Sequence, residues 1–142
     1  MKNDILAYFE ERFGIAKKEF EGFRLYADRK GRVMLGPKGI PLDDKAISVG
    51  MQIARVGNDM KPSTNFLQLF GRHATKNSIS LTKEQTHAYL MGEDVQPSGK
   101  VDATDGYVLL KYLDYPLACG LLKNKTIKNV LPKPRRMDAK HL

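Results

Sequence analysis

Apolar and polar positions alternate with several distinct periods along this chain. Ile5, Leu6, Phe9 and Phe13 share one face of a helical repeat, with Glu10, Glu11 and Arg12 outward, Asn3 or Asp4 placed to cap the start and Gly14 placed to stop it. Phe23–Ala27 and Arg32–Leu35 follow as two strands joined by Asp28-Arg29-Lys30-Gly31, whose Asp start and Gly end suit a tight turn. Residues 36–44 contain Gly36, Pro37, Gly39 and Pro41 and are expected to lack regular structure, with a subdomain boundary just beyond, between residues 45 and 46. From Ile47 the alternation of Ile47, Val49, Met51 and Ile53 with Ser48, Gly50, Gln52 and Ala54 predicts a strand buried on one face, with Gly50 a place for a bulge or bend. Ser63 or Thr64 then caps a helix over Asn65–Phe70 that stops at Gly71, and Ser78–Leu81 reads as a short strand. Thr82 and Gln85 have the spacing of a capping box, opening a helix that runs to about Met91 and stops at Gly92. A polar loop, Asp94–Thr104, leads to two apolar strands, Tyr107–Tyr112 and Leu117–Leu122, paired around Asp114-Tyr115-Pro116.

Strands linked by short turns or single helices, without regular alternation of strand and long helix, predict an α+β fold with a mixed or barrel-like sheet and argue against a doubly wound parallel one. The expected organisation is a small helix-and-hairpin subdomain over residues 1–45 packed on a mixed β-barrel with peripheral helices over residues 46–142. With 142 residues, 42% of them hydrophobic, the chain suffices for one core or two small layers and is too short for a large multidomain enzyme. No apolar run approaches the roughly 18 residues of a membrane span, so a cytoplasmic protein is expected. A lone Cys119 cannot form an internal disulfide, and His73, His87 and His141 are too scattered for a zinc site.

Charge adds the candidate chemistry. From Leu117 onward seven cations face one acid, Asp138, so this segment contributes +6 of the formal net charge of +8. Clustered Lys and Arg suit a phosphate backbone, because each neutralised phosphate releases condensed counterions. Lys123, Lys125, Lys128, Lys133, Arg135 and Arg136 are therefore the leading RNA-contact candidates, with Pro132 and Pro134 stiffening the chain between them; a solvated cationic tail is the plainer alternative. Lys61 beside Ser63 and Thr64 places a cation at a helix start that would favour an anion, although Ser and Thr there serve as ordinary caps. Arg72, His73 and Lys76 occupy a short loop suited to ligand contact or to solvation. Tyr26, Tyr112 and Tyr115 could stack on unpaired bases, but strand tyrosines more often bury their rings. Cys119, between Ala118 and Gly120 in an apolar strand, reads as a small buried hydrophobe. The Glu10-Glu11 and Asp43-Asp44 pairs match no metal or acid–base pattern.

Asp114-Tyr115-Pro116-Leu117 after an apolar strand, followed by Ile127-Lys128-Asn129-Val130-Leu131-Pro132-Lys133 and Arg135-Arg136, resembles the PUA-like C-terminal region of the Nop/Sun class of RNA cytosine-5 methyltransferases. (PUA abbreviates pseudouridine synthase and archaeosine transglycosylase.) Phe20–Tyr26, Gly50–Arg55, Pro62–Thr64 and Tyr89–Asp94 resemble the same region in the same order. The resemblance implies a PUA-like RNA-binding domain over residues 46–142 that binds structured RNA, tRNA or rRNA, in support of RNA modification or ribosome assembly. Ala118 departs from the pattern, since a Gly is expected after Tyr-Pro-Leu where backbone would approach RNA. No Gly-rich cofactor loop and no counterpart of the family's catalytic cysteines is present, so a stand-alone accessory module without catalytic activity, cofactor or metal is expected. The alternatives are a protein adaptor that docks Phe9, Phe13 and Phe20 on an RNA methyltransferase or ribosome-assembly factor, and a small enzyme using Cys119 or His73.

Overall fold

A computed structural model describes residues 2–38 and 51–132. The amphipathic N-terminal segment forms helix α1 (Lys2–Phe13), and its apolar positions Ile5, Leu6, Phe9 and Phe13 are all buried. The helix stops at Gly14, whose φ of +69° suits glycine; a Cβ there would also sit 1.8 Å from Thr75 Oγ1. A short 3₁₀ turn, Lys17–Phe20, adds Phe20 to the same apolar mass.

Strands β1 (Phe23–Ala27) and β2 (Arg32–Pro37) make the expected antiparallel hairpin. In its turn, Asp28 Oδ1 accepts hydrogen bonds from the N–H groups of Lys30 and Arg32, each at 2.9 Å, and Oδ2 accepts from Arg32 Nε at 2.5 Å. Desolvation alone would raise the Asp28 carboxyl, but these hydrogen bonds from Arg32 and Lys30 outweigh it and hold it below the ordinary carboxylate range. A depressed folded pKa means the ionised carboxylate stabilises the hairpin fully above the unfolded value of about 3.9 and loses that effect as pH falls through the lower folded value. The difference in unfolding midpoint between the wild type and Asp28→Asn should therefore hold steady from pH 7 to 5 and shrink below about pH 4. A difference unchanged down to pH 2 would exclude this role for the carboxylate.

β2 runs through Gly36 and Pro37, two residues expected to lie outside regular structure. Pro37 is tolerated because it ends the strand opposite Phe23 in a pair that needs no hydrogen bond from its nitrogen, the next bond to β1 being Lys38 N–H to Gly22 O at 3.2 Å. Strands β3 (Met51–Val56) and β4 (Met60–Pro62) complete an antiparallel sheet of order β1-β2-β3-β4. The strand expected from Ile47 is present from Met51; Ile47–Gly50 fall outside the described residues.

Helix α2 (Thr64–Phe70) is capped by Ser63 and continues into a 3₁₀ turn, Gly71–His73. Strand β5 (Ser78–Leu81) precedes helix α3 (Lys83–Leu90), whose start carries the complete Thr82–Gln85 capping box. Strands β6 (Gly106–Tyr112), β7 (Tyr115–Lys123) and β8 (Thr126–Asn129) follow. The second sheet has the order β5-β6-β7-β8, with β5 parallel to β6 and the other pairs antiparallel. The α+β class and the mixed sheet match expectation, but the strands form two four-stranded sheets that are not closed into a barrel. Tyr115 and Pro116 belong to β7, leaving Leu113-Asp114 as the tight turn. β8 was not expected at all.

One apolar cluster joins α1, the first sheet and α2 to Leu109 and Cys119 of the second sheet. Phe9, Phe13 and Phe20 are 0%, 0% and 4% exposed within it, so these three side chains form core and offer no docking surface. The first sheet draws strands from both sides of the expected 45/46 boundary. Arg12 ties α1 to the second sheet: Nε donates to Tyr107 O, and the two terminal nitrogens donate to Thr104 Oγ1 and Thr104 O, each at 2.6 Å. A smaller cluster packs α3 on the second sheet through Tyr89, Ile79, Val108, Leu110 and Ile127.

Candidate nucleic-acid interface

Where the first sheet meets α2 and β7, the chain leaves a cleft of about 290 Å³. Gln52 and Arg55 line it from β3, Lys61 and Pro62 from β4, Ser63, Thr64 and Asn65 from the start of α2, Cys119 from β7, and Val130 and Pro132 from the segment after β8. Two cations and no acid appear in this lining, and neither Arg55 nor Lys61 has an acidic partner among the described residues. An anion entering here meets uncompensated positive charge beside neutral hydrogen-bonding groups.

Lys61, Ser63 and Thr64 are thus brought together, but the two hydroxyls have internal work. Ser63 Oγ accepts from Phe66 N–H at 3.0 Å and donates to Gln52 O at 2.8 Å. Thr64 Oγ1 accepts from Cys119 N–H at 3.3 Å, joining α2 to β7. Arg55 was missed by the sequence reading, because only the β3–β4 register sets it directly opposite Lys61.

Lys123, Lys125 and Lys128 sit on the β7–β8 hairpin, a folded element whose register runs from Gly120↔Asn129 to Lys123↔Thr126. Val95 secures its outer strand through a bridge to Ile127. Lys123 and Lys125 are exposed without an acidic partner among the described residues, whereas Lys128 lies 3.8 Å from Asp94. Asn124 and Lys125 form the turn at φ of +50° and +66°. Lys133, Arg135 and Arg136 lie outside the described residues.

Arg72, His73 and Lys76 hold different partners. Arg72 Nε donates to His73 Nε2 at 3.2 Å, and that ring nitrogen lies 3.4 Å from Glu19. Lys76 Nζ instead donates to Glu11 O at the end of α1. The chain separates them at Thr75, whose N–H, like that of Lys76, donates to Phe13 O. Gly71 packs against Pro116, at the start of β7, whereas Lys123 ends that strand. At the usual rise per strand residue Pro116 and Lys123 stand about 23 Å apart, so the Arg72 and Lys123 positions are distinct regions of the surface.

Of the tyrosines, Tyr115 is 74% exposed at the hairpin tip, while Tyr26 and Tyr112 are half-buried. Cys119 is 1% exposed, and burial pushes its thiol up to about 12 even with Lys61 and Arg12 acting in the opposite direction. The native protein should resist iodoacetamide at pH 8 and react once unfolded in urea. Rapid alkylation of the folded chain would show an accessible thiolate instead.

Residues 76–137 match the family model described as the methyltransferase RsmF PUA domain. This segment is PUA-like. The match takes in the second sheet and α3 and leaves α1, the first sheet and α2 outside it. By fold, the whole chain is similar to a conserved PUA domain protein from Thermoplasma acidophilum, with a TM-score of 0.55 and 17% identity over 99% of this chain and 78% of that one. No curated protein matches significantly. PUA domains are generally RNA-binding, and the matched family model comes from a methyltransferase; the match covers the PUA segment and no catalytic domain. Among the described residues, no helix is long and apolar enough to cross a membrane.

Proposed function

We propose that this chain binds structured RNA, tRNA or rRNA, as a non-catalytic accessory in RNA modification or ribosome assembly. The observation carrying this reading is that Lys123 and Lys125 project from a paired hairpin of the PUA-like segment. A cation fixed by strand pairing meets phosphate with less ordering cost than one on a loose tail, which favours a binding surface over a solvated extension. Lys128 would extend this ridge, Lys133, Arg135 and Arg136 are proposed as further RNA contacts, and Lys61, Ser63 and Thr64 would act at the cleft with Arg72, His73 and Lys76 as outlying contacts. The proposed setting is the cytoplasm, beside an RNA methyltransferase or a ribosome-assembly factor.

Titration of labelled tRNA and of rRNA at several salt concentrations tests the reading. Log affinity should fall linearly with log salt, each phosphate contact contributing roughly 0.7–0.9 to the slope. Charge reversal at Lys123 and Lys125 should weaken binding across RNA sequences rather than for one sequence alone. Absent affinity, or affinity indifferent to salt, would refute RNA binding.

A further inference from the structure

The first sheet, outside the PUA-matching segment, carries a row of cations set by strand register. Arg32 on β2 is directly opposite Arg55 on β3, and Arg55 is directly opposite Lys61 on β4. Residues directly opposite in antiparallel strands project from the same face with Cβ atoms about 4.5–5.5 Å apart, and like charges so placed destabilise a sheet. Asp28 engages Arg32 through Nε, leaving that guanidinium further donors on a side chain 44% exposed. Arg55 and Lys61 are exposed and have no such compensation among the described residues. Folding alone gives no reason to keep two facing cations unneutralised in a cleft whose other lining groups are neutral.

Resting on the RNA-binding reading, we propose that Arg32, Arg55 and Lys61 form a second phosphate-binding site, which holds a single strand of RNA backbone along the cleft between the two sheets. The row spans two strand spacings, about 9.5 Å, long enough to meet more than one phosphate of a strand. The cleft's 290 Å³ lies at the small end of ligand pockets, which favours single-stranded backbone over a duplex. Binding would then engage the N-terminal sheet as well as the β7–β8 ridge.

The test titrates labelled tRNA and rRNA against the full chain from 0.05 to 0.3 M salt, comparing the wild type with Arg55→Ala/Lys61→Ala and with the shape-retaining pair Arg55→Gln/Lys61→Gln. Loss of two phosphate contacts should reduce the slope of log affinity against log salt by about 1.4–1.8 and weaken binding at 0.1 M salt by roughly 30-fold. Arg55→Lys/Lys61→Arg should preserve the slope, and the neutral variants should unfold no earlier than the wild type, since they remove a like-charge contact. If the wild type binds with a salt slope that the folded neutral variants share, the second site is refuted while RNA binding stands. If the wild type binds neither RNA at any salt concentration, the RNA-binding reading fails and this site with it.

Discussion

Phe66→Ala should lower the stability of the fold by about 3–5 kcal/mol, the usual cost of removing a fully buried aromatic ring. Phe66 is 0% exposed and stands at the centre of an aromatic array, its ring centroid 4.5 Å from Phe9, 4.7 Å from Phe70 and 5.7 Å from Phe20. These neighbours come from α1, the 3₁₀ turn and α2, three elements that cannot all close over the void, so much of the cavity should persist. At about 3 °C per kcal/mol for a chain of this size, thermal unfolding should move down by roughly 10 °C or more. A loss below about 1 kcal/mol in urea titration would mean that the site collapses freely and that the array is not the keystone of the core.

Tyr89→Phe should cost about 2–4 kcal/mol while removing a single oxygen atom. The Tyr89 ring is fully buried; its hydroxyl donates to Cys119 O at 2.5 Å and accepts from Val130 N–H at 3.2 Å. Phenylalanine would fill the same volume but leave both backbone groups without these partners, and an unpaired buried polar group costs about 1–3 kcal/mol. The damage should also be local, because Val130 begins the segment that closes one side of the cleft. Hydrogen exchange at the Val130 amide should accelerate more than exchange in β2 or β3. Acceleration at Val130 no greater than that in β2 and β3 would show that the loss is global only.

Much of the architecture was legible because several local signals agreed. Ile5, Leu6, Phe9 and Phe13 mark α1 by periodicity, and Thr82 with Gln85 marks α3 by a reciprocal pair of hydrogen bonds that needs no tertiary help. β8 escaped notice because Ile127 is its only apolar residue among Thr126, Lys128 and Asn129; its pairing with β7 supplies what its own composition lacks. β4 has only three residues, too few to display alternation. Pro37 reads as a breaker unless one knows that it closes a strand. At the candidate interface, Lys61, Ser63 and Thr64 could be grouped from adjacency alone, whereas Arg55 joins them only through pairing across a turn. Adjacency could not show that Arg72 bonds to His73 while Lys76 bonds to the end of α1, because that difference depends on where the backbone between them is held.

Leu109 and Cys119 reach from the second sheet into the aromatic mass built by α1, the 3₁₀ turn and α2. A segment cut out at residue 76 would carry those side chains without their cover, and its exposed greasy face would invite self-association. Moved into another protein, that segment would need a new apolar cover over Leu109 and Cys119.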